Sequence, residues 1–254
     1  MTVRADLHIH SCLSPCGDLT MSPRAIVAAA VDAGLHLIAL TDHNSARNVP
    51  AFDAACRAAG IAALYGCEVT TSEEVHALAL FADTATAVRF GDEMTASLPQ
   101  RPPDPRFADD QVVVDEEEVI LDMVDAPLTA ATGFPLSRVG MRIHELGGLF
   151  IPAHIDRWAF SVWSQLGFLP PDDYDAVEMI APPRAAPGSA RAEVEGDRPA
   201  SRIDPGTYPV IASSDAHIPH DVGTRYTEFD AHEPGYDALQ AAIHDGRVRP
   251  VVGR

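Results

Sequence analysis

The sequence predicts an α/β protein in which a parallel sheet is flanked by helices, and three observations carry this expectation. Short apolar runs alternate with helix-like segments through the first half of the chain. The 254 residues fit one α/β domain of barrel size, although length alone also allows two. Histidines and carboxylates fall just after several apolar runs, at the C-terminal strand ends where parallel sheets and barrels build their sites.

Taken in order, residues 4–9 read as the first strand. Ser22-Pro23 supplies an N-cap and a first-turn proline, opening a helix to about residue 33 that Gly34 closes. Strands follow at 35–40, 61–65 and 75–81, with a helix at 50–59 closed by Gly60. Residues 83–111 break the rhythm, and the proline-rich stretch 98–105 reads as a loop or lid. The acidic stretch 115–125 and residues 135–146 read as helices, the second ending at Gly147-Gly148. Strands resume at 149–151, 176–180 and 210–212. Residues 182–209 read as a surface loop, 236–244 as a last helix and 248–252 as a final apolar run. One domain spanning 1–254, with insertions at 83–111 and 182–209, is the simplest account.

Composition narrows the function. The net charge is −19, and all 18 basic residues are arginine. Such a chain lacks the basic surface that nucleic acid demands, so no stable nucleic-acid partner is expected. A small anionic substrate stays open, because bound cations reverse the local field. No apolar run approaches roughly 18 residues, and the first residues lack the features of a signal peptide. The expectation is a cytoplasmic protein with no membrane partner; composition leaves the oligomeric state open. Of the four cysteines, Cys56 and Cys67 sit in apolar surroundings and read as core residues.

The chemistry lies in the residues that follow the strands. His8 and His10 are two apart on one strand, so they face the same side and can grip one ion. Asp42 and His43 follow the second strand, Glu68 the third, and His76 lies on the fourth. His154 follows strand 149–151, and Asp215 and His217 follow strand 210–212. Imidazole and carboxylate suit Zn, Mn or Fe, and a hydroxide held between two cations is a strong nucleophile near neutral pH. Each residue also has a plainer role. His76 could be a core histidine, Asp42 could orient a ligand histidine or cap a turn, and Glu73 and Glu74 read as a solvated loop. His36, His144, His220, His232 and His244 read as surface or helix-face residues. Arg157 and Arg184 are candidate phosphate contacts or ordinary surface arginines.

Asp6-Leu7-His8-Ile9-His10-Ser11, Thr41-Asp42-His43-Asn44, Pro152-Ala153-His154 and Ser213-Ser214-Asp215-Ala216-His217 resemble the four motifs of the PHP (polymerase and histidinol phosphatase) family, in the family's order. Gly66-Cys67-Glu68-Val69 lies between the second and third. The resemblance implies a distorted (β/α)7 barrel with two or three divalent metal ions that hydrolyses phosphoesters. It implies a first metal on His8, His10, Glu68 and Asp215, and a second on Glu68, His76 and His154. A third would sit on His43, His217 and a ligand from the loop after the first motif. There the chain departs from the better-known pattern, with Cys16 at the expected position and Asp18 competing. A Cys16 thiolate would favour Zn or Fe over Mn. The activity expected is hydrolysis of a small phosphorylated metabolite or nucleotide by a metal-bridging hydroxide. Glu68, Asp42 and His217 are its catalytic candidates, Arg157 and Arg184 its phosphate contacts. Amide or ester hydrolysis on the same barrel and a non-catalytic metal-stabilised module are the alternatives.

Overall fold

The computed structural model describes residues 1–99, 110–182 and 203–253. Among these the central element is a seven-stranded sheet in the order β11-β10-β1-β2-β3-β4-β7. Its members are β1 (Thr2–Asp6), β2 (Leu37–Leu40), β3 (Ala62–Thr70), β4 (His76–Phe81), β7 (Leu149–Pro152), β10 (Arg225–Asp230) and β11 (Arg249–Val252). β5 (Val112–Val114) pairs with β6 (Ile120–Met123), and β8 (Val177–Glu178) with β9 (Val210–Ile211).

The sheet is mixed, not parallel as expected. β1, β2 and β3 run parallel, whereas β4 is antiparallel to both β3 and β7, and β10 is antiparallel to β1 and β11. Only Thr71–Val75 separates β3 from β4, and a parallel crossover needs a dozen or more residues. β3 also runs past Tyr65 to Thr70, so Glu68 lies inside the strand instead of following it. Strand β10 was not foreseen.

The sheet curls. Single backbone bonds carry it onward from β7: Asp175 N–H reaches Phe150 O at 3.0 Å and Ile155 N–H reaches Glu178 O at 2.8 Å. β8 then pairs parallel with β9, and the chain after β9 returns to the end of β1, where Asp215 N–H bonds His8 O and His10 N–H bonds Ala216 O, both at 3.0 Å.

Helices α1 (Pro23–Asp32), α2 (Val49–Ala59), α4 (Leu136–Glu145) and α6 (Tyr236–His244) lie close to where the sequence places them. Ser22 caps α1 by accepting from Ala25 N–H, and Gly60 ends α2 in a left-handed conformation (φ 71°). Two short readings fail. Part of the segment taken as irregular is helix α3 (Thr84–Ala96), capped by Asp83. The acidic stretch expected as a helix is the β5–β6 hairpin. There Asp115 accepts from the N–H groups of Glu117 and Val119, and β-branched and apolar residues on each side favour strands over helix. A further short helix, α5 (Val162–Leu166), precedes β8. Of the expected insertions, residues 100–109 and 183–202 lie outside the described residues. No helix among those described is long and apolar enough to cross a membrane.

Both sheet faces are apolar. Ile38, Leu40, Phe52, Phe81 and Phe150 pack on one side with the helices, and Leu37, Leu64, Leu78, Ile151 and Ile243 on the other. Each fully buried side chain of this size contributes about 1.5–3 kcal/mol. Cys56 and Cys67 are buried, as expected. This packing fixes the strand ends that form the rim described next.

Candidate metal centre

The antiparallel turn of β4 is what gathers the site. Thr70 at the end of β3 faces His76 at the start of β4, and Ala77 faces Pro152 at the end of β7. His76 therefore reaches the same rim as Glu68 and His154, although it opens its strand instead of closing it. The first-motif histidines arrive at that rim from β1, His43 from β2, and Asp215 and His217 from the chain after β9.

Glu68 is the centre of the cluster. Its Oε1 lies 2.8 Å from His76 Nδ1, 3.0 Å from His154 Nε2 and 3.4 Å from His8 Nε2. Its Oε2 lies 3.0 Å from His43 Nδ1 and 3.4 Å from His10 Nε2. Asp215 Oδ1 stands 3.3 Å from His8 Nε2 and 3.2 Å from His10 Nε2, and those two nitrogens are 3.1 Å apart. Burial pushes the Glu68 carboxyl up, but the imidazoles of His76, His8 and His43 outweigh it and hold the group well below the usual carboxylate range. Asp215 is likewise held down against burial by His8 and His10.

The donor set fits divalent cations. Buried His43 Nδ1 and His76 Nδ1 approach Glu68 closely yet make no hydrogen bond, because their ring directions miss hydrogen-bond geometry. His154 Nε2 does hydrogen-bond Glu68 Oε1 at 3.0 Å, but the two orphaned nitrogens point at a buried carboxylate with no proton shared between them, which is costly unless a cation is held there. Three groupings have ligand atoms close enough to share an ion: His8, His10 and Glu68; His43, Glu68 and His76; and His10, His43 and His217. The second places His43 beside Glu68 as well as beside His217.

Behind the cluster, hydrogen bonds fix the imidazole tautomers. His8 Nδ1 meets Glu178 Oε2 at 3.0 Å, turning Nε2 toward the rim. The same oxygen accepts from His154 N–H at 3.0 Å. His10 Nδ1 meets Ser14 Oγ at 2.9 Å, and Ser14 Oγ donates to Asp42 Oδ1 at 2.7 Å. Asp42 also accepts from the N–H and hydroxyl of Ser11, each at 2.7 Å. Asp42 is fully buried and reaches His10 through Ser14, an arrangement that fits the ligand-orienting role the sequence left open for it. Glu178 was missed altogether. Its signal was a carboxylate inside the apolar run Ala176-Val177-Glu178-Met179-Ile180, which demands a buried partner.

At the outer edge His217 Nδ1 donates to Asp215 O at 2.7 Å, leaving Nε2 3.0 Å from Cys16 Sγ. Burial alone would raise the Cys16 thiol, but His217 and His43 bring it down to about 7. Asp18 bonds instead to Thr20 and stays apart from the imidazoles. Arg157 Nη1 meets Asp215 Oδ2 at 3.0 Å, so it reaches the rim through that carboxylate. Arg184 lies outside the described residues. Asn44, His154, Phe160 and Asp215 all adopt left-handed backbone at positive φ, a strain of order 1–3 kcal/mol each that clusters at functional sites.

The sequence profile of the PHP domain matches residues 6–133, and that of the PHP-associated region matches 206–248. The chain belongs to the PHP family. This is the family of metal-dependent hydrolases that the four motifs resembled. Among curated proteins the sequence has no match. Solved structures of similar fold include the lesion-specific endonuclease Q of Pyrococcus furiosus, 19% identical with a TM-score of 0.63. Endonuclease Q in complex with a 27-mer duplex carrying an abasic lesion at the active site is 18% identical, also at 0.63. A protein from Bifidobacterium adolescentis assigned as a metal-dependent phosphoesterase is 17% identical at 0.52, with 85% of this PHP chain and 88% of that one covered. The endonuclease matches cover 98% and 96% of this chain but only 58% and 57% of theirs. Finding this fold on a DNA duplex overturns the expectation of a small phosphorylated partner and no nucleic-acid binding. Net charge was the wrong guide, since it averages over a surface whose reactive part is one rim.

Proposed function

We propose that this PHP-family chain is a metal-dependent phosphoesterase that cleaves phosphodiester bonds in DNA. The observation that carries the reading is the convergence of five imidazoles and the Asp215 carboxylate around Glu68. A structural metal site closes around one ion, whereas this rim offers overlapping ligand groups that share His10, His43 and Glu68. The backbone bonds that continue the curled sheet from β7 through β8 and β9 to β1 support reading the whole chain as one distorted (β/α)7 barrel with the site at its rim.

His8, His10, Glu68 and Asp215 would hold one cation, and Glu68, His76 and His154 a second. His43, His217 and Cys16 would hold a third, for which the thiolate favours Zn or Fe over Mn. Bound cations would supply Lewis acidity and an activated water near neutral pH. Around them the chain's own residues divide the work. Glu178 and the Ser14–Asp42 pair keep His8 and His10 in the tautomer whose Nε2 faces the rim. Arg157, anchored on Asp215, presents a guanidinium to a phosphate oxygen. His217 stands at the open edge, its Nδ1–H tied to Asp215 O and its Nε2 left to the third cation.

The test is hydrolysis by metal-quantified protein. Bis(p-nitrophenyl) phosphate and DNA oligonucleotides, intact and with an abasic site, should be cleaved. Cleavage should disappear on chelation and in His8→Ala. A protein that holds its metals and cleaves no phosphodiester, or a His8→Ala variant of undiminished activity, refutes the proposal.

A further inference from the structure

Between the end of β7 and α5 the chain runs His154-Ile155-Asp156-Arg157-Trp158-Ala159-Phe160-Ser161 along the edge of the metal centre. Arg157 and Phe160 both touch that centre, the first through Asp215 and the second by stacking on His76 (ring centroids 4.8 Å apart, 12° between planes). Trp158, between them, does the opposite: its surface is 85% exposed. Phe160, Trp163 and Phe168 on the same stretch of chain are also partly exposed, at 38%, 43% and 56%, so Trp158 is not a lone stray aromatic.

The segment is also held still. Arg157 N–H bonds His154 O at 2.8 Å, Ser161 Oγ donates to Arg157 O at 2.7 Å, and His76 N–H bonds Phe160 O at 2.8 Å. Ser161 and Ser164 form a capping box that starts α5. Left-handed backbone at His154 (φ 29°) and Phe160 (φ 55°) brackets the turn. Trp158 thus stands on a hydrogen-bonded loop, one residue from the arginine that contacts Asp215.

We propose that Trp158 is a stacking platform for an unpaired nucleobase of the DNA strand next to the phosphate being cleaved. The inference rests on the reading of the site as a DNA phosphodiesterase and specifies how the strand is held. Base–aromatic stacking needs no cation and accepts every base, so it would add a hold on the strand beyond the phosphate at the rim.

The experiment exploits the two tryptophans of the chain, Trp158 and Trp163. In metal-loaded Trp163→Phe, Trp158 is the sole indole, and a short phosphorothioate single strand should quench it saturably. An abasic strand of equal length and charge should leave it unquenched. Anisotropy of a labelled strand should show Trp158→Ala binding about ten-fold or more weakly, the loss expected for one base stack, and Trp158→Phe recovering most of it. Quenching by the abasic strand, or a Trp158→Ala variant that binds like the parent, overturns the platform. A mononucleotide that quenches at the same concentration as the strand overturns the strand assignment. Hydrolysis of bis(p-nitrophenyl) phosphate by the parent protein, a diester without a base, reports separately on the phosphodiesterase reading.

Discussion

Glu178 provides the sharpest test of how the centre is held together. Its Oε2 accepts from His8 Nδ1 and from His154 N–H, each at 3.0 Å, with the carboxylate buried. Glu178→Gln keeps the volume and one acceptor oxygen but removes the charge. A charge-assisted hydrogen bond contributes about 1.5–3 kcal/mol and a neutral one about 0.5–1.5, so the loss at His8 is of order 1–1.5 kcal/mol. That corresponds to roughly ten-fold weaker metal binding, at the lower end of the 10- to 100-fold range for partners of ligand histidines. Glu178→Ala strands both donors in a buried space and should approach the upper end, with a further stability loss of about 1–3 kcal/mol per orphaned donor. Competition against a chromophoric chelator measures the affinity, and circular dichroism before and after metal loading separates it from misfolding. If the Gln variant binds metal as tightly as the parent while Ala loses only stability, Glu178 is a packing residue and the tautomer argument fails.

Three further outcomes follow from the same geometry. Cys16 is the exposed cysteine, so alkylation of metal-free protein should report its thiolate. With the thiol lowered to about 7, the rate should rise about ten-fold per pH unit below 7 and level above it. A midpoint near the ordinary thiol value, or no protection by added Zn, would remove Cys16 from the centre. Chelation should lower the melting temperature, because a cation held at 100 times its dissociation constant stabilises the fold by about 2.7 kcal/mol; calorimetry with and without chelator tests this. In β3, a Cβ at Gly66 would stand 1.7 Å from Ala79 O on β4, so Gly66→Ala should cost about 1–3 kcal/mol or more in denaturant unfolding. An Ala variant of parental stability would mean that β4 can shift without cost.

What could be read from the chain was short-range. The pairing of His8 and His10 was legible from their spacing, although β1 ends at Asp6 and both lie just past it, and the helix at 23–32 announces itself by Ser22-Pro23. β4 was misjudged because its direction depends on the length of the Thr71–Val75 turn, which pattern alone does not weigh. The hairpin at 112–123 was misjudged because acidic residues drew attention away from the flanking valines, isoleucine and leucine. Glu178 was invisible as a partner of His8 because the two are 170 residues apart and meet only once the sheet has curled. Arg157 was legible as a basic residue beside a ligand, but not its anchorage on Asp215. The DNA substrate proposed above could not be read from composition, since 37 acidic residues spread over a surface say little about the rim where phosphate would sit.

That rim resolves the apparent conflict between an acidic chain and an anionic substrate. Three carboxylates touch the imidazole cluster: Glu68, Asp215 and Glu178. Buried together without cations they would repel one another, and part of the histidine set would have to carry protons to compensate. Burial and neighbouring histidines push His10 well below its ordinary value, and burial above all brings His76 down to about 4. The imidazoles therefore cannot all be charged, and neutral imidazole is the form that ligates metal. Two divalent cations more than offset the three carboxylates, and a third makes the rim strongly positive. Only glutamate can sit at the centre of such an arrangement. Its two oxygens reach imidazoles from the chain just past β1, from the loop after β2, from β4 and from just past β7, and an aspartate one methylene shorter would abandon part of that set. Glu68→Asp should accordingly lose more metal than Glu68→Gln loses per site, because it retracts both oxygens at once. Metal analysis after gel filtration distinguishes the two, and an aspartate variant that retains the full metal complement would show that charge, not reach, is what Glu68 supplies.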